Sequence, residues 1–132
     1  MSTSDAMKAL EVASKGLLYS SESDEPFTVF KWKAEDELTK EMVLKRARKA
    51  AKTPVEEVSL QDFFADLTEE QDWHGDEEKA AVQRYKKLQE VIQKTLSDAK
   101  VFKVGQRKLS VFLVGKTDEG DWVGLKTTAV ET

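Results

Sequence analysis

Cysteine is absent from the 132 residues, and histidine occurs once, at position 74. The first absence excludes disulfides and thiolate metal sites. It fits a reducing compartment, so a cytoplasmic location is expected. The second absence restricts catalysis, because any Ser-His-Asp or related nucleophile system would have to run through His74. That residue stands among Asp72, Gly75 and Asp76, in what reads as an exposed loop before a helix. A histidine-based metal cluster is impossible with one histidine, and only an all-carboxylate site is formally open. There is no glycine-rich phosphate loop: Gly105, Gly115, Gly120 and Gly124 are scattered turn or strand residues. No apolar run approaches the length of a membrane span. The first five residues lack the basic and apolar regions of a signal peptide. Neither an internal repeat nor a low-complexity segment is present. The expectation is a protein that is not an enzyme, holds no cofactor of its own and makes no membrane contact.

What is abundant is charge. Asp and Glu number 25 against 21 Lys and Arg, giving a net charge of −4, while 39% of residues are hydrophobic. The length suits a single domain over residues 1–132, one that buries roughly two-thirds of its unfolded surface. A mild acidic balance argues against general nucleic-acid binding and permits a basic partner.

Periodicity predicts a first helix over Ser4 to Ser14, with Ser4 as its cap and Ala6, Leu10, Ala13 and Leu17 on one face. Gly16 supplies the left-handed residue that ends it. A strand over Phe27 to Lys33 has apolar residues on both faces, Phe27 and Val29 on one and Phe30 and Trp32 on the other. Thr39 reads as the cap of a basic helix over 40–52, and Ser59 as the cap of a short helix bearing Leu60, Phe63, Phe64 and Leu67. A long helix is expected from Asp76 to Ser97. Strands follow over Val101 to Val104, Leu109 to Val114 and Trp122 to Val130. Helices early, a meander late and two-faced strands predict an α+β, three-layer α-β-α sandwich with a mainly antiparallel sheet.

Three stretches could carry function. Lys40, Lys45, Arg46, Arg48, Lys49 and Lys52 could bind nucleic-acid phosphate. No aromatic residue interleaves them for stacking, and a solvated helix face is the preferred reading. Glu22, Asp24 and Glu25 crowd a serine-rich loop ahead of Pro26, where carboxylates must project into solvent and could imitate successive phosphates. Trp73, set among Asp72, Asp76, Glu77 and Glu78, reads either as an exposed interface anchor or as a lid over the short helix.

Gly16-Leu17-Leu18, Ser21-Glu22-Ser23, Pro26-Phe27 and Val29-Phe30 resemble the opening of the nuclease A inhibitor family. Asp62-Phe63-Phe64, Gln71-Asp72-Trp73 with Asp76-Glu77-Glu78, Lys87 to Ile92 and the ending Val130-Glu131-Thr132 extend the resemblance, in order, over nearly the whole chain. The resemblance implies a fold of the pathogenesis-related protein 1 type and a protein that occludes a sugar-non-specific, metal-dependent endonuclease. It implies that Glu22 enters the nuclease's cationic cleft and that Trp73 packs at the contact. It further implies that the C-terminal carboxylate on Thr132 reaches the nuclease's Mg or Mn ion. Asp24, Glu25 and Asp72 join the expected partner-binding set by charge alone. The expected assembly is a monomer forming a 1:1 complex with the nuclease, without direct nucleic-acid contact. The alternatives are an interaction module of the same fold for another cationic partner, or weak nucleic-acid binding through the basic helix 40–52.

Overall fold

The computed structural model describes residues 2–20, 24–32 and 37–130. The chain opens with α1 (Thr3–Ser14) and a small hairpin of β1 (Leu18–Ser20) and β2 (Asp24–Pro26). Next come β3 (Thr28–Trp32), α2 (Lys40–Arg46), β4 (Val55–Ser59), α3 (Leu60–Ala65) and α4 (Asp76–Thr95). It closes with β5 (Ser97–Val104), β6 (Lys108–Lys116) and β7 (Trp122–Val130). Five strands form one sheet in the order β3-β7-β6-β5-β4, with every neighbouring pair antiparallel. The protein is therefore α+β, with a mostly antiparallel sheet.

Alternation along the strands sends apolar side chains to both faces. On β6, Leu109, Val111 and Leu113 meet Leu10 of α1, Phe63 and Phe64 of α3, and Leu88 and Ile92 of α4. Phe112 and Val114 point the other way, into a cluster with Met42, Val43 and Leu44 of α2 and with Trp122 of β7. β3 divides as its sequence suggests: Val29 packs on the first cluster, Phe30 and Trp32 on the second.

Ser2 rather than Ser4 caps α1, accepting from the Asp5 amide at 3.1 Å. Ser4 cannot serve because the chain is already helical there. The start is pinned one residue earlier, where the Thr3 hydroxyl meets Thr117 Oγ1 at 3.0 Å and donates to Asp121 at 2.9 Å. α2 is shorter than the basic run, ending at Arg46 because Arg48 turns left-handed at φ 58°. β4 is a strand that the sequence pattern does not announce. Its Val55 and Val58 lie opposite Val104 and Val101 of β5, but both are only half-buried and Glu56-Glu57 separates them. β5 starts at Ser97, four residues before the expected point. It absorbs the abrupt exit from α4 through Asp98 at φ 52° and a register shift before Lys100.

Two glycines give a contrast that tests this packing. A Cβ on Gly124, opposite Val114 in the middle of the sheet, would strike the Leu113 carbonyl oxygen and sit 2.8 Å from Leu113 C and Val114 Cα. Backbone cannot yield as a side-chain tip can, so Gly124→Ala should cost about 3 kcal/mol or more. Gly16 has open space around it but φ +76°, so Gly16→Ala should cost only about 1–2 kcal/mol of backbone strain. Urea midpoints of the two variants should fall in that order.

Candidate functional site

The acidic hairpin is built from the end of α1 outward. Gly16 stops the helix, Leu17 turns into the core, and the chain then pairs Leu18 with Pro26, Tyr19 with Glu25 and Ser20 with Asp24. Cross-strand partners share a face, so Tyr19 and Glu25 lie on one side and Leu18 and Pro26 on the other. Tyr19 stacks on Phe63 of α3 with centroids 5.5 Å apart, and meets the edge of Phe27 at 6.2 Å. From α4, the Tyr85 hydroxyl donates to the Leu18 carbonyl in a short hydrogen bond. From β7, Thr127 Oγ1 donates to the Glu25 carbonyl at 3.4 Å. The hairpin is thus tied to a helix, a second helix and the last strand. Asp24 is exposed and Glu25 half-buried. Glu22 lies outside the described residues.

The α3–α4 connection has its own internal bonds. Thr68 Oγ1 donates to Phe64 O at 2.7 Å as α3 ends. His74 Nδ1 accepts from the Gln71 amide at 3.0 Å, while the His74 amide donates to Gln71 O at 3.0 Å. The Glu78 carboxylate accepts from the Gly75 amide at 3.0 Å, closing the first turn of α4. Trp73 stands out from this turn, 73% exposed, with its ring edge-on to His74 at 4.3 Å. It is not a lid over α3. Asp72, Asp76, Glu77 and Glu78 around it are all exposed.

Chain direction brings these parts together. The start of α1 is bonded to the β6–β7 turn through Thr117 and Asp121, and α4 runs out into Ser97, which pairs with Lys116 beside that same turn. The two helices are therefore antiparallel. Arg84 of α4 bridges them, donating to Ala13 O at 3.1 Å and Lys15 O at 2.7 Å. The end of α1, the hairpin, the Trp73 connection and the end of β7 consequently gather at the other end of the sheet. Asp24 and Glu25 lie on the hairpin, which Tyr85 bonds from the middle of α4, and Asp72 and Trp73 lie just ahead of the start of α4. Thr132 lies outside the described residues, two positions after β7 ends at Val130.

Among the described residues no group of three or more His, Asp or Glu side chains is placed to hold a metal ion. No helix among them is long and apolar enough to cross a membrane. Among the described residues, the Tyr85 phenol is pushed well above its ordinary value, first by burial and then by the nearby Tyr19 and Asp24. Sequence reasoning missed Tyr85 as a hairpin anchor, because its helical spacing with Leu88 and Ile92 accounts for it as a core residue. The alternation of Tyr19 and Leu17 ahead of Pro26 was the signal for β1.

A family model described as nuclease A inhibitor-like protein matches residues 4–132. The chain belongs to the nuclease A inhibitor-like protein family. No curated protein matches it. Membership points to a nuclease-inhibitor role and to a protein without catalysis of its own. The hairpin is an acidic feature that α3, α4 and β7 hold in place, and the Trp73 connection is an exposed acidic one.

Tyr85→Phe should lower stability by about 1 kcal/mol at neutral pH, the usual worth of one such hydrogen bond. The pH dependence has a definite sign. Below about pH 10 the phenol is protonated in both states. Above it the unfolded chain releases the proton while the folded chain retains it, so this contribution is lost as pH rises. Denaturant titrations across alkaline pH should show a steeper loss for the parent than for Tyr85→Phe.

Proposed function

We propose that the chain inhibits a non-specific, metal-dependent DNA/RNA endonuclease by occluding its active site. The observation that carries this reading is the family match across residues 4–132. A nuclease that cuts any sequence grips backbone phosphate, using cationic side chains and a divalent ion. Carboxylates present hard anionic oxygens of similar reach, and arginine holds them bidentately as it holds phosphate, but they offer no scissile ester.

In this mechanism Glu22 enters the cationic cleft from the hairpin. Asp24, Glu25 and Asp72 add negative potential around it, steering encounter and fixing orientation. Trp73 buries its exposed ring against the nuclease as the apolar anchor that acidic contacts alone lack. The α-carboxylate of Thr132, the last residue of the sequence, supplies one oxygen ligand to the nuclease's Mg or Mn ion. The metal belongs to the partner, and the complex is 1:1. The helical cover on both sheet faces supports a single-domain, three-layer α-β-α sandwich of the pathogenesis-related protein 1 type. Such a fold fixes the hairpin on a rigid base, so little ordering cost is incurred on binding.

Calorimetric titration onto a metal-loaded non-specific nuclease tests these roles. Glu22→Gln keeps shape and removes charge, and it should cost about 2–5 kcal/mol of binding free energy, mostly through faster dissociation. Glu35→Gln, in a different acidic stretch, should cost about 1 kcal/mol or less. Amidation of Thr132 should weaken binding to metal-loaded nuclease more than to metal-free nuclease. Equal losses from Glu22→Gln and Glu35→Gln would mean that general charge drives binding, contradicting a cleft contact at Glu22.

A further inference from the structure

The face of the sheet that α2 covers differs in charge from the hairpin end. In the sequence, Lys40 to Lys52 is a basic run without aromatic residues. The fold changes that reading, because it brings aromatics from distant positions onto the same face. Phe30 and Trp32 of β3, half-buried, lie 4.6 Å apart and reach the Phe112 ring at 5.7 and 5.4 Å. All three pack in the cluster that contains Met42, Val43 and Leu44 of α2. Lys126 stands over the Phe112 ring at 5.7 Å and Lys116 over the Trp122 ring at 5.9 Å.

The backbone that carries the first cations after α2 is held in place. The Lys49 amide donates to Leu44 O at 2.9 Å and the Arg48 amide to Lys45 O at 3.1 Å, the paired bonds of a helix end that normally carries glycine at the left-handed position. Here that position is Arg48, at φ 58°. Favourable interaction with the helix dipole accounts for Lys45 and Arg46 in the last turn. It does not account for Arg48, Lys49 and Lys52, which lie beyond the helix and are exposed.

We propose that this face binds single-stranded nucleic acid, with backbone phosphates on Lys45, Arg48 and Lys49 and bases stacked on Phe30 and Trp32. Sequence-tolerant single-strand binding needs those two parts together, a cationic track and adjoining aromatic rings. α2 packs against β4 and β5, and β3 lies three strand spacings from β5, a span of about 14 Å. A few nucleotides can bridge that span. The site is separate from the hairpin and the Trp73 connection, and does not depend on the inhibitor reading. It would let one chain hold nucleic acid while its acidic end engages a protein.

Fluorescence anisotropy with labelled oligothymidylate, oligouridylate and a DNA duplex, across a salt series, tests the proposal. Single strands should bind at low salt and weaken as salt rises. The combined variant Lys45→Glu, Arg48→Glu and Lys49→Glu should lose more than about tenfold in affinity and show a shallower salt dependence. Trp32→Ala should lose about tenfold for single strands, and Trp73→Ala should lose nothing. If Trp32→Ala fails to fold, tryptophan emission serves instead: quenching by oligothymidylate should survive Trp73→Phe and vanish when Trp32→Phe is added. Absence of binding at low salt overturns the proposal. So does full affinity in the charge-reversed variant, or loss of binding in Trp73→Ala. A duplex bound as tightly as the single strand, with quenching unaffected by Trp32→Phe, reduces the face to a general cationic surface and overturns it equally.

Discussion

The constraint on which the rest of this structure depends is that its central strands are apolar on both faces. β6 alone buries Leu109, Val111 and Leu113 to one side and Phe112 and Val114 to the other. Neither face can be left to water, since each buried aliphatic or aromatic side chain is worth about 1.5–3 kcal/mol. Helices must therefore cover both, and the chain spends α1, α3 and α4 on one face and α2 on the other. Among the described residues charge is then kept out of the two buried clusters and left on the surface. The acidic hairpin and the Trp73 connection are exposed because the covered sheet leaves carboxylates nowhere else to go.

The same constraint explains how short segments are held firmly. A three-residue strand has little stability of its own. β1 and β2 persist because Tyr19 stacks on Phe63, the Tyr85 hydroxyl bonds Leu18, and Thr127 bonds Glu25. Each bond comes from an element already fixed by the core. The two short strands are thereby held by buried residues far away in sequence.

Much of this was legible in the sequence, for identifiable reasons. The two-faced strand, observed as Thr28–Trp32, the last strand ending at Val130, the Thr39 and Ser59 caps and the long amphipathic helix all follow from local patterns, and the structure shows them. What escaped lacks a local signal. β4 is an edge strand whose Glu56-Glu57 pair breaks any alternation, and only its pairing with β5 makes it a strand. Arg48 in a left-handed conformation ends α2 against the helical preference of the basic run. Of the candidate site residues, Asp24, Asp72 and Trp73 are exposed and Glu25 is half-buried, whereas Glu22 and Thr132 lie outside the described residues. The meeting of Phe30 and Trp32 with the α2 cluster could not be read from spacing, since it joins distant elements across the sheet.

The central claim is that the chain stops a nuclease by filling its active site. The most direct measurement follows DNA degradation by a panel of metal-dependent, non-specific endonucleases as purified protein is added at constant metal and salt. The account predicts that at least one nuclease loses its activity near equimolar inhibitor and that excess DNA relieves the block competitively. Undiminished cleavage by every nuclease in the panel, at inhibitor well above equimolar, would contradict it.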